Sequence, residues 1–186
     1  PDGSVITTNI TFKTPYKLFT EAISVKQFTD GTTTETVYAK GFGVIGVTFT
    51  AADGNQVISL LEKLEEVVMT LPPEPASTLE AYRSLFKQDG TIAHFKGDGI
   101  EYSTFDEKTI WVGDYVIVRV DNGGSIFDRI YHISTDRLAL VGQNVVDRMD
   151  DTYSPQELEA MDVIEVLFEG PIEAGAAPNG DEILTD

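Results

Sequence analysis

The feature that most constrains this fold is a series of short β-branched runs separated by turn residues. In the second half of the chain these runs occupy residues 91–95, 100–105, 109–120, 125–134 and 138–146. Strands that follow one another so closely pair antiparallel, because parallel strands need longer crossover connections. The pattern predicts a mainly β (α+β) fold, namely an antiparallel β-barrel or sandwich with two to three short helices and a projecting β-hairpin.

The N-terminal part of the chain also has strand character. Ile6, Ile10 and Phe12 alternate with polar residues, and residues 44–49 form a further β-branched run. Residues 23–28 and 32–39 flank Asp30-Gly31, a dipeptide that favours a type I′ hairpin turn. The tip of this hairpin is polar on both faces, which predicts an interaction arm that projects from the body. Its residues are Thr29, Asp30, Gly31, Thr32, Thr33 and Thr34.

Three segments favour helices. Residues 55–69 carry apolar side chains at spacings of three and four, with Asp53 as the expected N-cap, which predicts a helix there. A second helix is predicted over residues 78–87, capped by Ser77, and a third, short one opens at Ser154-Pro155. The apolar stripe of the first helix consists of Val57, Leu60, Leu61, Leu64, Val67 and Val68. Residues 163–168 are expected to add a closing strand.

Length and charge suggest how the chain is organised. Its 186 residues, with no cysteine and a net charge of −18, suffice for a core without disulfides or metals. We expect one β-rich domain over residues 1–168, with a possible subdivision at the proline-rich stretch 72–76, and an acidic tail over 169–186. Residues 147–186 hold 12 acids and one base, a net of −11. Two interpretations fit this charge. The segment is either a tail that only increases solubility or an arm that becomes ordered against a partner.

Composition excludes several kinds of partner and site. The absence of cysteine removes thiolate metal sites and a cysteine nucleophile, and the acidity argues against direct nucleic-acid contact. Apolar runs are only a few residues long, so no membrane partner is expected, and no signal peptide is recognised. Residues 41–46 match the spacing of a dinucleotide-binding loop but continue as strand. These glycines are therefore expected to allow strand bending or close packing.

Candidate catalytic groups are sparse. His94 and His132 lie inside predicted strands, and no Gly-x-Ser-x-Gly motif accompanies them. Asp147, Asp150 and Asp151 share one loop whose oxygens suit calcium, but they lack EF-hand spacing, so plain solvation is expected. We therefore predict no catalytic, cofactor-binding or metal-binding residue and no cofactor, and we expect that the chain is not an enzyme.

A polar threonine-rich hairpin, glycine-studded strands, a meander core and an acidic tail remain as the distinctive features. Together they resemble the small virion proteins of tailed bacteriophages, such as capsid decoration (cement) proteins and tail-tube proteins. The resemblance implies a non-enzymatic structural subunit that forms a homo-oligomer and contacts other virion proteins. It also implies location in the virion after assembly in the host cytoplasm.

Two other functions stay open at this point. One is a soluble ligand-binding or carbohydrate-binding β-domain that uses exposed aromatic side chains such as Trp111 or Tyr115. The other is an enzyme whose site is built from carboxylates, which the sequence does not pair.

Overall fold

The computed structural model describes residues 3–65 and 77–171. Within these ranges the chain forms eleven strands and two short helices. The strands are β1 Gly3–Lys13, β2 Leu18–Thr29, β3 Thr32–Ala39, β4 Gly43–Thr50, β5 Gln56–Glu65, β6 Ile92–Asp98, β7 Phe105–Val112, β8 Tyr115–Asp121, β9 Ile126–Ile133, β10 Arg137–Val146 and β11 Glu165–Glu169. The helices are α1 Thr78–Arg83 and α2 Pro155–Glu159, and Glu101–Ser103 forms a 3₁₀ turn.

All eleven strands belong to one antiparallel sheet in which each strand pairs with its neighbours in sequence. The mainly β, antiparallel character predicted from the turn spacing is therefore confirmed. β1 and β11 are the two edges of the described sheet and do not pair with each other, so the sheet is not closed. The proline-rich stretch 72–76 and residues 172–186 of the predicted tail lie outside the described residues.

The turn at Asp30-Gly31 has the predicted backbone. Thr29 pairs with Thr32, and the φ angles of Asp30 and Gly31 are 48° and 79°, as a type I′ turn requires. The hairpin is flanked on both sides, because β1 pairs with β2 as far as Phe28 and β4 pairs with β3 as far as Thr33. Its projection as an interaction arm stays a prediction.

The helix predicted over residues 55–69 is wrong within the described range, where residues 56–65 form β5 between β4 and β6. Its helical spacing has a local cause. A register shift between Leu61 and Lys63 leaves Glu62 as an extra residue, so Leu61 and Leu64 face the same core cluster although they are three apart. Asp53 caps no helix: its carboxylate accepts a hydrogen bond from the Asn55 amide in the preceding turn.

Two strand predictions also need correction. Residues 109–120 are not one strand, because Gly113-Asp114 forms a two-residue turn between β7 and β8, with φ of 62° at Gly113. Residues 100–105 are mostly a 3₁₀ turn. A hydrogen bond of 2.7 Å from the Ser59 hydroxyl to the Ser103 carbonyl connects this turn to β5. The turn at Gly113 is hidden in the sequence because β-branched residues continue on both sides of it.

The helices begin where the caps predict. The Ser77 hydroxyl accepts from the Glu80 amide at the start of α1, which ends at Arg83 rather than at residue 87. Ser154 and Glu157 form a reciprocal capping box at the start of α2, with Pro155 in the first turn. The predicted closing strand is present as β11.

The core has three apolar clusters. The first packs β2–β6 around Phe19, Ile45 and Leu61. The second joins the two ends of the meander, because it contains Ile6 and Val25 as well as residues of α1 and β8–β11. The third lies between β8–β10 and α2, whose Leu158 is fully buried.

Candidate functional site

A cavity of about 460 Å³ lies against the inner face of the sheet. Strands β7, β8 and β9 supply its lining with every second residue, as the pleat requires. β7 contributes Phe105, Glu107 and Thr109, β8 contributes Val118 and Val120, and β9 contributes Phe127, Arg129 and Tyr131. The volume falls within the range of roughly 300–1,000 Å³ that is usual for small-molecule sites. We refer to it as the central cavity.

A buried ion pair forms part of the cavity wall. Lys87 Nζ lies 2.6 Å from Glu107 Oε1 and donates a second hydrogen bond to the Val44 carbonyl at 3.0 Å. Both side chains are almost completely buried, with exposures of 2% and 7%. Since a buried polar group without a partner is expensive, this contact fixes the positions of both side chains.

The glycines at residues 41–46 bring Lys87 to this position. A Cβ on Gly43 would lie 3.0 Å from both the Leu85 carbonyl oxygen and the Lys87 amide nitrogen. Gly43 has a φ of 65°, and a Cβ on Gly46 would come still closer to a neighbour, at 2.7 Å from the ring of Phe12. The prediction that these glycines serve close packing is therefore confirmed, and no helix begins among them.

Two of the three tyrosines that line the cavity come from distant strands of the sheet. Tyr38 comes from β3 and Tyr131 from β9. Burial, with the Tyr131 phenol and Glu107 acting in the same direction, raises the pKa of Tyr38, and Arg129 opposes the shift. Burial likewise raises the pKa of Tyr131, again against the opposing charge of Arg129. Both phenols therefore stay protonated at neutral pH and can donate hydrogen bonds.

Just over half of the rest of the lining is apolar, and the remainder is polar, namely Gln27, Thr34, Thr36, Ser59, Tyr102, Thr109, Asn122, Gln143 and Glu165. Valine and leucine side chains from β4, β8, β10 and β11 complete the wall, together with the rings of Phe86, Phe105 and Phe127. The aliphatic residues of the lining are Val44, Val47, Leu85, Val118, Val120, Leu138, Leu140 and Leu167. The central cavity is therefore amphipathic, with charged and phenolic groups set in an apolar wall.

The predicted arm lies at one end of the β2–β3 hairpin. Thr32 Oγ1 donates to the Thr29 carbonyl at 2.7 Å, and Thr33 pairs with Thr50 of β4. Thr34 belongs to both regions, because it also lines the central cavity. Whether these residues contact a partner stays a prediction.

The two histidines lie in separate places. His94 is held between carboxylates, with Nδ1 2.6 Å from Asp106 Oδ1 and Nε2 3.2 Å from Glu65 Oε1. His132 stacks on the ring of Tyr115 with centroids 4.7 Å apart. That the chain is not an enzyme stays a prediction.

The aromatic residues considered for carbohydrate contact are engaged by their own chain. Trp111 is half-buried, donates from Nε1 to the Lys87 carbonyl at 2.9 Å and meets the ring of Phe86 edge-on. Tyr115 is covered on one side by His132. These contacts place Trp111 in the packing around the cavity rather than on an open platform.

The aspartate loop is organised by its own backbone. Asp151 Oδ2 accepts hydrogen bonds from the amides of Asp147 and Arg148, each at 3.2 Å. Across residues 3–65 and 77–171, no group of three or more His, Asp or Glu side chains is arranged to hold a metal ion. In the same ranges, no helix is both long and apolar enough to cross a membrane.

Sequence reasoning missed Lys87, Glu107, Tyr38 and Arg129 as site residues. One signal in the sequence could have found some of them, namely the alternation of side chains along β9. Phe127, Arg129 and Tyr131 lie on one face of that strand, and Asp128 and Ile130 lie on the other. The sequence could not show which strands face that side, because those contacts are long-range. Comparison of the chain with protein-family models, with curated proteins and with solved structures finds no match in any of the three.

Proposed function

We propose that this protein binds a small amphipathic molecule in the central cavity. The observation that carries the proposal is a cavity of about 460 Å³ that combines a buried ion pair and two phenols with an apolar wall. Pockets of this size and mixed lining are the usual form of small-molecule sites. The contacts of Trp111 and Tyr115 favour this cavity over an exposed aromatic platform for carbohydrate.

The proposal includes a finer description of the fold. Ile6 and Val25, near one end of the meander, share an apolar cluster with Leu138 and Phe168 near the other end. This shared cluster supports a sheet that curls around the cavity as an open barrel rather than two flat layers. An open barrel leaves a mouth through which a ligand enters.

The test uses N-phenyl-1-naphthylamine, a neutral fluorescent molecule whose emission rises in apolar surroundings. We expect saturable binding by the wild-type chain at one site. Val118→Trp and Thr36→Trp, from two parts of the lining, fill the cavity and should abolish binding. Val145→Trp is the matched control, because Val145 is 79% exposed and is not among the lining residues.

Two outcomes would overturn the proposal. One is no binding by wild-type protein that is shown to be folded by circular dichroism. The other is equal binding by the wild type and by a folded cavity-filling variant. Because Thr36 is only half-buried, Thr36→Trp keeps the test valid if Val118→Trp fails to fold.

A second proposal keeps the structural role that the virion resemblance implies. It is supported by β1, an eleven-residue strand that pairs only with β2 in the described part of the chain. A strand with an unpaired edge can add to the sheet of another copy. Light scattering at low and high concentration tests it: a higher mass that falls when residues 29–34 are replaced by a shorter turn supports an assembling subunit. A monomer at every concentration contradicts that role.

A further inference from the structure

Arg129 differs from the other cation that lines the central cavity. Lys87 is neutralised by Glu107 at 2.6 Å. Arg129 forms no ion pair with any described carboxylate, and its cross-strand neighbours are Val118 and Gln143. Its guanidinium lies 5.6 Å from the centroid of the Phe127 ring, which orients the group. The lining therefore contains one positive charge without a carboxylate partner.

Hydrogen-bond donors accompany this charge. Tyr131 lies two residues further along β9 on the same face, and Tyr38 faces the cavity from β3. Both phenols are protonated at neutral pH, because burial raises the pKa of each. A guanidinium with two neutral phenols is a set of donors that suits an oxyanion.

The charge and shape of the lining restrict the anion. Glu107 is already paired, whereas Glu165 adds a negative charge to the lining. The two cations and two carboxylates of the lining therefore cancel in net charge, and such a lining accommodates a monoanion at Arg129 more readily than a dianionic phosphate. A carboxylate also matches the planar fork of a guanidinium, with two parallel hydrogen bonds. The valine and leucine wall is left for an apolar body.

We propose that the ligand of the central cavity is an amphipathic carboxylate, whose head group is bound by Arg129 with the hydroxyls of Tyr38 and Tyr131. This inference rests on the proposed ligand-binding function. It names the chemical class of the ligand and the residue that selects it.

The experiment compares dodecanoate with 1-dodecanol, which share an alkyl chain and differ in the head group. Each displaces N-phenyl-1-naphthylamine from the wild-type protein, and dodecanoate should do so at lower concentration. In Arg129→Gln we expect the affinity for dodecanoate to fall about 10- to 100-fold, the usual value of a charge-assisted hydrogen bond. Affinity for dodecanol and for the neutral fluorophore should stay within about twofold, because neither presents an anion.

Three further variants make the result specific. Arg137→Gln removes the same charge from a residue that is not among the cavity-lining side chains, and it should leave both ligands unaffected. Arg129→Lys keeps the charge without the planar fork and should retain part of the preference for dodecanoate. Tyr131→Phe removes one donor while keeping the ring, and a loss of about threefold to tenfold for dodecanoate alone is expected.

The outcomes separate the two proposals. If the neutral fluorophore does not bind, the proposed function fails and this inference fails with it. If it binds but dodecanoate and dodecanol compete equally in wild type, the cavity binds ligands and the carboxylate preference is wrong. Equal losses for both ligands in Arg129→Gln would also overturn the role of Arg129.

Discussion

The two faces of the sheet around β7–β9 each carry a buried ion pair, in very different surroundings. On the outer face, Arg119 and Asp128 form two parallel hydrogen bonds of 2.7 Å and are both fully buried. On the inner face, Lys87 and Glu107 meet through one contact of 2.6 Å beside the central cavity. The outer pair is enclosed by protein, whereas the inner pair borders open space.

Each of the three guanidinium nitrogens of Arg119 donates to a protein acceptor. Arg119 Nη1 donates to the Asp151 carbonyl at 2.7 Å, and the Tyr153 hydroxyl donates to Asp128 Oδ2 at 2.8 Å. Hydrogen bonding to Asp128 raises the pKa of Arg119. This arrangement fastens the segment before α2 onto the sheet, so the outer pair serves structure. The inner face, in contrast, holds Arg129 through a side-chain hydrogen bond with Tyr131 and gives it no ion pair with a described carboxylate.

The largest expected effect comes from breaking the outer pair. Arg119→Met leaves Asp128 buried without its partner, which should cost about 3–5 kcal/mol in the free energy of unfolding. Urea denaturation followed by circular dichroism measures it. Arg83→Met is the control, because the pair of Arg83 with Asp114 is exposed and should contribute less than about 1 kcal/mol. Equal losses in the two variants would contradict the difference drawn between buried and exposed pairs.

Breaking the inner pair should cost less. In Lys87→Met, Glu107 keeps access to the central cavity, where water can solvate it, so we expect a loss of about 2 kcal/mol in the free energy of unfolding. Urea denaturation again provides the measurement. Lys63→Met serves as the control, since its pair with Glu65 is exposed. A loss as large as that of Arg119→Met would mean that the cavity does not relieve the stranded carboxylate.

A smaller effect is expected from the third member of the outer network. Tyr153→Phe removes the hydrogen bond to Asp128 and the acceptor of the Asn144 amide, which lies 3.3 Å away. Asp128 keeps both contacts with Arg119, so the expected loss is about 1–2 kcal/mol. Thermal unfolding of the variant alone and combined with Arg119→Met tests the coupling. Strictly additive losses would show that Tyr153 is not part of the same network.

The sequence predicted those features that depend on a few adjacent residues. The Asp30-Gly31 turn and the caps at Ser77 and Ser154 are local devices, and each is present. Prediction from the sequence failed at residues 56–65. There a bulge at Glu62 gives the apolar residues of a strand the three-residue spacing that is typical of a helix. Prediction also missed the turn at Gly113, because β-branched residues continue on both sides.

The candidate site was beyond such reasoning because its members are distant in sequence. Lys87 reaches Glu107 only because the backbone at Gly43 packs closely against residues 85–87. Tyr38 and Tyr131 line one cavity although they lie on strands β3 and β9. Alternation alone predicts which residues share a face of one strand, and it leaves open which strands that face opposes.

The smallest effect concerns the tyrosines of the inner face and appears only at high pH. Tyr38 has a pKa raised by burial, so the unfolded chain releases its phenolic proton first, near the ordinary value of about 10. Stability from the neutral phenol is therefore complete below pH 10 and is lost as the pH rises above it. Tyr38→Phe should change stability by less than about 0.5 kcal/mol at pH 7, because Tyr38 lines the cavity and the substitution keeps the ring. Between pH 7 and pH 11, the free energy of unfolding should fall in both proteins. The fall should be about 1 kcal/mol smaller in Tyr38→Phe than in wild type. Parallel losses in the two proteins would mean that the Tyr38 phenol reaches water freely and that the cavity is open at this wall.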